Sequence, residues 1–301
     1  MPRLPAWHRS LGDLMSSTAV SIAVAGDGLR IMARQGREVS FWQHVPLPLG
    51  LLHQGWIAAP DSFGLALRDA LDRSALSGGR LLWALPGTTA TARLLSIRLA
   101  GAADPAALIA REAAWAMPIN PEDYYLYWQP VADGSADHVF VLAVHRPAID
   151  ALLRACAVAN VRPHVVDLKP LALTLAVGKT DALIADLEPT SIDVLVIAQG
   201  LPVMMRSLHL GDRPLDIAAL QAKLLDELSL AIQLYDQTNP EMPLEQATPV
   251  YLTGELGDAE LAGRVAYVTK HPTVQPEVPL ACPPGFPANR FMVNLGLLLK
   301  T

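Results

Sequence analysis

The chain has 301 residues, enough for two lobes of ordinary domain size, and 51% of them are hydrophobic, so a large core is available. A formal net charge of -6 excludes the basic face that nucleic-acid binding needs, and the two cysteines, Cys156 and Cys282, exclude a disulfide framework or a zinc site. The opening Met1-Pro2-Arg3-Leu4 leads into no signal peptide, and no run approaches the ~20 apolar residues of a membrane span, so a soluble cytoplasmic protein in a reduced compartment is expected.

In chain order, residues 20–25, 28–34 and 38–45 read as three short strands, with tight turns at Gly26-Asp27-Gly28 and Gln35-Gly36-Arg37. Pro60-Asp61 opens a helix carrying Phe63, Leu67, Ala70 and Leu71 at helical spacing. Leu81 to Leu85 is a buried-strand run stopped by Pro86-Gly87.

A separate module follows. Residues 91–99 alternate, with Leu95, Ile97 and Leu99 on one face and Ser96 and Arg98 on the other. Asp104-Pro105 starts a helix that ends near Met117, because Pro118 follows. Residues 124–129 form an aromatic strand, Ala132-Asp133-Gly134-Ser135 is turn chemistry, and residues 138–144 form another strand. The order is strand, helix, strand, strand. The aromatic strand has two apolar faces, one for the helix and one that needs the neighbouring lobe or a partner.

Residues 147–160 then read as an amphipathic helix with Ile149, Leu152, Leu153 and Cys156 inward, Cys156 being a small core residue. Residues 164–168 form a strand and 170–177 a short helix. The first pattern returns at 182–187, 192–198 and 202–208, three strands with a turn at Gln199-Gly200. A long helix over 215–235 turns Leu220, Leu224, Leu228, Ala231 and Tyr235 inward, and 249–253 is the next strand. Residues 239–248 are a polar loop, the Pro-rich stretch 273–287 an irregular crossing segment, and 291–299 a last helix on the first lobe.

The sequence resembles the PilM family, the actin-like, FtsA-related cytoplasmic proteins of type IV pilus assembly. The residues that carry this are Leu85-Pro86-Gly87-Thr88-Thr89, Arg93, Glu112 through Pro118, Glu122-Asp123, Val45-Pro46-Leu47-Pro48, Tyr251-Leu252-Thr253-Gly254 and 291–299. The resemblance implies an α/β fold of two actin-like (RNase H-like) lobes. The first lobe would take residues 1–86, 146–180 and 288–301, the inserted partner-binding subdomain 87–145, and the second lobe 181–287. The second lobe lacks the family's extra subdomain, since Leu208-His209-Leu210-Gly211 and Asp212-Arg213-Pro214 run almost directly into the long helix. That shortened form is closer to the HofM-like branch.

Nucleotide-binding relatives hold ATP with two glycine turns and a Gly-Gly pair, where backbone N–H groups reach the phosphates and an Asp positions the metal. In this chain the first turn places Ala23 where that Asp would be and Ala25 where the Gly would be, with Asp27 adding a carboxylate. The second turn keeps Asp186 but has Glu188 for the Gly, and Pro189 removes an N–H donor. Gly254 remains at the adenosine motif, followed by Glu255. These departures imply no ATP binding, no cofactor and no catalysis. The plainer reading of Asp186 is a turn residue at the end of a strand.

No other chemistry stands out. His138 and His145 lie on opposite sides of one strand, so they share no metal, and neither a Walker A loop nor a nucleophile elbow is present. Glu122-Asp123 reads as a solvated turn. By resemblance, the partner is a PilN-like inner-membrane protein whose cytoplasmic N-terminal peptide lies in the groove between the first lobe and the inserted subdomain. Candidate groove residues are Pro86, Arg93, Trp115, Met117, Pro118 and Tyr124. The alternatives are an actin-like ATPase that uses Asp186 and Gly254 in an altered mode, and a freestanding relative of the cytoplasmic domain of GspL from type II secretion.

Overall fold

A computed structural model describes residues 18–26, 28–74, 76, 79–99, 101–131, 138–211 and 215–300. Asp27, the turn at 132–135 and Asp212-Arg213-Pro214 lie outside the described residues.

The first lobe begins with the meander β1 (Thr18–Ala25), β2 (Gly28–Gln35) and β3 (Glu38–Pro46). A small hairpin, β4 (Leu52–His53) and β5 (Trp56–Ile57), turns through Gln54 and Gly55, both at positive φ, as a two-residue hairpin requires. Helix α1 (Pro60–Arg73) and strand β6 (Arg80–Leu85) follow. The inserted module is β7 (Ala90–Ser96), α2 (Pro105–Ala116), β8 (Tyr124–Pro130) and β9 (His138–His145). The lobe resumes with α3 (Arg146–Val158), β10 (Val165–Leu168) and α4 (Lys169–Val177). The second lobe is β11 (Ala182–Glu188), β12 (Ser191–Ala198), β13 (Leu201–His209), α5 (Ile217–Thr238), β14 (Val250–Thr253), α6 (Ala259–Thr269) and β15 (Thr273–Val274), and the chain closes with α7 (Met292–Leu298).

The two main sheets repeat one topology, β3-β2-β1-β6-β10 and β13-β12-β11-β14-β15. In each, the first three strands are antiparallel and the last two join in parallel through helices. Only residues 210–216 separate β13 from α5, too few for a subdomain. Helix α5 begins at Ile217 rather than 215, because the Asp216 side chain accepts the N–H of Ala219 and caps it. Its five expected inward residues are buried.

Helices α4 and α7 share one core between the two sheets. They cross so closely that a Cβ on Gly296 would collide with the Ala172 carbonyl. Helix α7 is tied to the first lobe by Asn294, which donates to the carbonyls of Ser21 (3.2 Å) and Arg30 (2.9 Å), and by Arg34, which donates to that of Leu298 (3.1 Å). The Pro-rich stretch does cross between lobes: β15 pairs with β14, and Ala281 then bridges the edge strand β3 through Val39 and Arg37.

One expectation needs correction, and one element was not anticipated. Leu153 is 47% exposed, and the buried face of α3 is Ala148, Leu152, Ala155 and Cys156. Helix α6 was not anticipated, although Asp258 caps it and Leu261 and Val265 stand one turn apart. The second face of the aromatic strand is covered by the neighbouring lobe, one of the two coverings expected for it. Tyr125 donates to Asp150 (3.1 Å) and lies under Arg146, while Tyr127 joins Phe140, Leu142 and Val144 in the first-lobe core. The opposite face of the module, with Ile97, Val139, Val141 and Ala143, packs on Ile109, Ala113 and Met117. Phe140, Leu142 and Val144 of the module thus form one wall of the first-lobe core.

Candidate functional site

This architecture leaves a cleft between the lobes and places an aromatic cluster beside the module. The cleft is about 710 Å³. Ala25 and Gly26 of the first hairpin, Pro189 and Thr190 of the second, and Glu255 and Arg290 line it, with His44, His53, His209 and the stretch around Leu49 forming its outer wall. The stretches singled out in the sequence thus converge. Ala23 lies buried beneath the cleft in β1.

The chemistry at the floor differs from the sequence expectation. Asp186 is not a turn residue: it sits within β11, fully buried, opposite Asp193 of β12. Lys169, at the first turn of α4, places its ammonium 2.7 Å from Asp186 and 3.0 Å from Asp193. Burial works against that charge, but the carboxylates of Asp186, Asp193 and Glu188 outweigh it and hold the ammonium well above the usual lysine range. The remaining oxygen of Asp186 accepts from Thr253 (2.7 Å) and that of Asp193 from Ser207. Above this cluster is a cavity of about 30 Å³, lined by Lys169, Asp193, Ser191 and Gly87 among others. That is roughly the room one water occupies.

Glu188 and Glu255 do not add unbalanced negative charge. Arg30 of β2 reaches across from the first lobe and donates to both oxygens of Glu188, each at 2.6 Å, and to Glu255 at 2.9 Å. It also donates to the Arg290 carbonyl (2.6 Å), and Arg290 pairs with Glu255 (3.2 Å). Burial lowers the Arg30 pKa, but the neighbouring carboxylates, Glu188 first, more than restore it. Gly254 has a backbone role at φ +94°: a Cβ there would collide with the Leu187 carbonyl, so this glycine lets β14 close against β11. The carboxylates of Asp186, Glu188 and Glu255 are each paired with a lysine or arginine of the chain itself. Among the described residues, no group of three or more His, Cys, Asp or Glu is placed to hold a metal.

Arg30 and Lys169 were missed in the sequence. Arg30 had one signal, a charge inside the apolar run Leu29 to Ala33. Lys169 before Pro170 looks like an ordinary surface lysine.

Of the six residues expected beside the module, Pro86, Arg93 and Tyr124 lie on or near the face of the module that adjoins the β4–β5 hairpin. Arg93 pairs with Val141 and Tyr124 with His145, so both stand on the α2 face of the module sheet. Arg93 is exposed and caps α2 by donating to the Ala116 carbonyl (2.7 Å). Tyr124 is half-buried, edge-on to His145 at 5.3 Å, and Trp56 of the β4–β5 hairpin lies 5.0 Å from the same ring. Trp56 donates to Thr88 (3.3 Å), beside Pro86. Trp56 and His145 are additions the sequence reading did not make. Two candidates stand apart from this cluster. Met117 is buried in the module core. Trp115 is 90% exposed, two residues past buried Ala113 and therefore on the solvent side of α2. Pro118 is exposed at the end of α2.

Comparison with solved structures places this geometry in context. A "PilM-PilN type IV pilus biogenesis complex" aligns with a TM-score of 0.75 at 20% identity, over 94% of this chain and 98% of that one. The cytoplasmic domain of EpsL, an inner-membrane component of the type II secretion system of Vibrio cholerae, aligns at 0.55 and 11% identity, over 95% and 98%. MreB5 of Spiroplasma citri bound to ADP aligns at 0.50 and 13%, over 93% and 94%.

The fold is actin-like.

No protein-family model and no curated protein matches the chain. The actin-like likeness explains the duplicated sheets, the two interlobe helices and the cleft between them. No described helix is long and apolar enough to cross a membrane.

Proposed function

We propose that this chain is a PilM-like cytoplasmic scaffold of a type IV pilus or a related assembly machine, recruited to the inner membrane by a PilN-like partner. The observation that carries the reading is the end-to-end likeness to the PilM–PilN complex, with 94% and 98% of the two chains aligned. The groove supports it. A peptide lying between the β4–β5 hairpin and the α2 face of the module would meet Trp56, Tyr124 and His145, with the Arg93 guanidinium nearby. Aromatic walls with a flanking guanidinium suit an extended segment held by its main chain and a few apolar side chains.

The scaffold would work without ATP turnover. Ala23 in place of the metal-positioning Asp, and Lys169 between Asp186 and Asp193, support this. A second reading, relationship to a GspL-type cytoplasmic domain, draws on the weaker likeness to EpsL. The deciding experiment is calorimetry with a synthetic peptide of the cytoplasmic N-terminus of a PilN-like protein, without nucleotide. Saturable binding supports the scaffold reading. No binding to PilN-like peptides, with binding to a type II secretion partner instead, favours the second.

A further inference from the structure

A buried lysine and two buried aspartates, with the half-buried Ser191, cluster next to the cleft. The Lys169 ammonium has oxygens of Asp186, Asp193 and Ser191 at 2.7, 3.0 and 3.3 Å. The two carboxylates are fixed from behind by Thr253 and Ser207, as the ligands of a cation are usually oriented by outer hydrogen bonds. The donor set is all oxygen and carries two negative charges, the chemistry of a hard divalent cation such as Mg²⁺ or Mn²⁺. Lysine is also an unfavourable residue for the first turn of a helix, whose N-terminal end is already positive. Its place there is explained by the carboxylates and not by α4.

We propose that Lys169 is a tethered replacement for a divalent cation: the Asp186–Asp193–Ser191 oxygens form a latent cation site that the chain fills with its own ammonium. The lobes then close on this cluster whether or not metal is present. Removing the ammonium would leave two buried carboxylates facing each other beside a small cavity. Such a pair is relieved either by taking up a proton or by binding a cation. The inference rests on this geometry alone and stands whether or not a PilN-like peptide binds.

The test uses Mn²⁺ alone as the probe, on the full chain, read by thermal midpoint and by the electron paramagnetic resonance signal of free Mn²⁺. The parent protein should show no saturable response. Lys169→Ala should melt lower than the parent, and Mn²⁺ should raise its midpoint saturably. Adding Asp193→Asn should abolish that response. Lys169→Gln, with a neutral side chain of similar reach, gives the same reading if the alanine variant does not fold. A folded Lys169 variant that ignores millimolar Mn²⁺ overturns the proposal. If neither variant folds, the parent decides: a saturable Mn²⁺ effect that Asp193→Asn removes overturns the proposal, and its absence supports it.

Discussion

Arg30 on the first lobe and Glu188 on the second form a bidentate ion pair across the base of the cleft, with both contacts at 2.6 Å and both side chains buried. The two strands that carry them, β2 and β11, belong to different sheets. The pair therefore fastens one lobe to the other, and Glu255 and Arg290 extend it toward solvent.

Breaking this pair from one side should be costly, because it strands a buried charge. Arg30→Met is expected to lose about 3–5 kcal/mol of stability. The double variant Arg30→Met, Glu188→Leu should recover a large part of that loss, since apolar groups of similar volume replace both ions. Urea midpoints of the three proteins check this. A single variant as stable as the parent would show that the lobes are held by other contacts.

Lys169 sets an alkaline limit. Its pKa in the folded protein lies above the unfolded value, because Asp186, Asp193 and Glu188 outweigh burial. The stabilisation is therefore complete below the ordinary lysine pKa of about 10.4 and is lost as pH rises from there toward the folded value. The difference in thermal midpoint between the parent and Lys169→Met should be constant from pH 7 to about 10 and shrink above that. A difference that grows with pH would reverse the assignment.

The duplicated sheets were legible because strand runs and glycine turns recur in both halves, and helix α5 because Leu220, Leu224 and Leu228 repeat at helical spacing. Strand β15 was not, since two residues carry no alternation. The cleft's location was legible from Ala25, Pro189 and Glu255. Its charge balance was not, because pairing between residues 158 positions apart, Arg30 and Glu188, leaves no local pattern. Met117 shows a similar limit: a position at the end of a helix does not say which way its side chain faces.

The groove and the outer face of α2 can be separated. Tyr124→Asp and Trp56→Ala should each weaken binding of a PilN-like peptide at least about tenfold, roughly 1.4 kcal/mol. Trp115→Ala should leave that binding and the thermal midpoint nearly unchanged, because the ring stands in solvent away from the groove. Peptide calorimetry with the three folded variants checks this. A loss confined to Trp115→Ala would move the interface to the solvent side of α2.

Cys156 should be inert. It is buried in the first-lobe core, and burial pushes its thiol up to about 11. A thiol reagent at pH 8 should reach Cys156 only on unfolding, while the half-buried Cys282 reacts first. Mass spectrometry of the labelled native protein distinguishes the two. Rapid labelling of Cys156 would show that the α1–α3 layer opens readily.

We propose, as the central point, that the chain's own charges at the base of the interlobe cleft stand in place of nucleotide and metal. Calorimetric titration of the protein with Mg-ATP tests it most directly. The account predicts no heat of binding up to millimolar nucleotide. A saturable isotherm with a micromolar dissociation constant would contradict it.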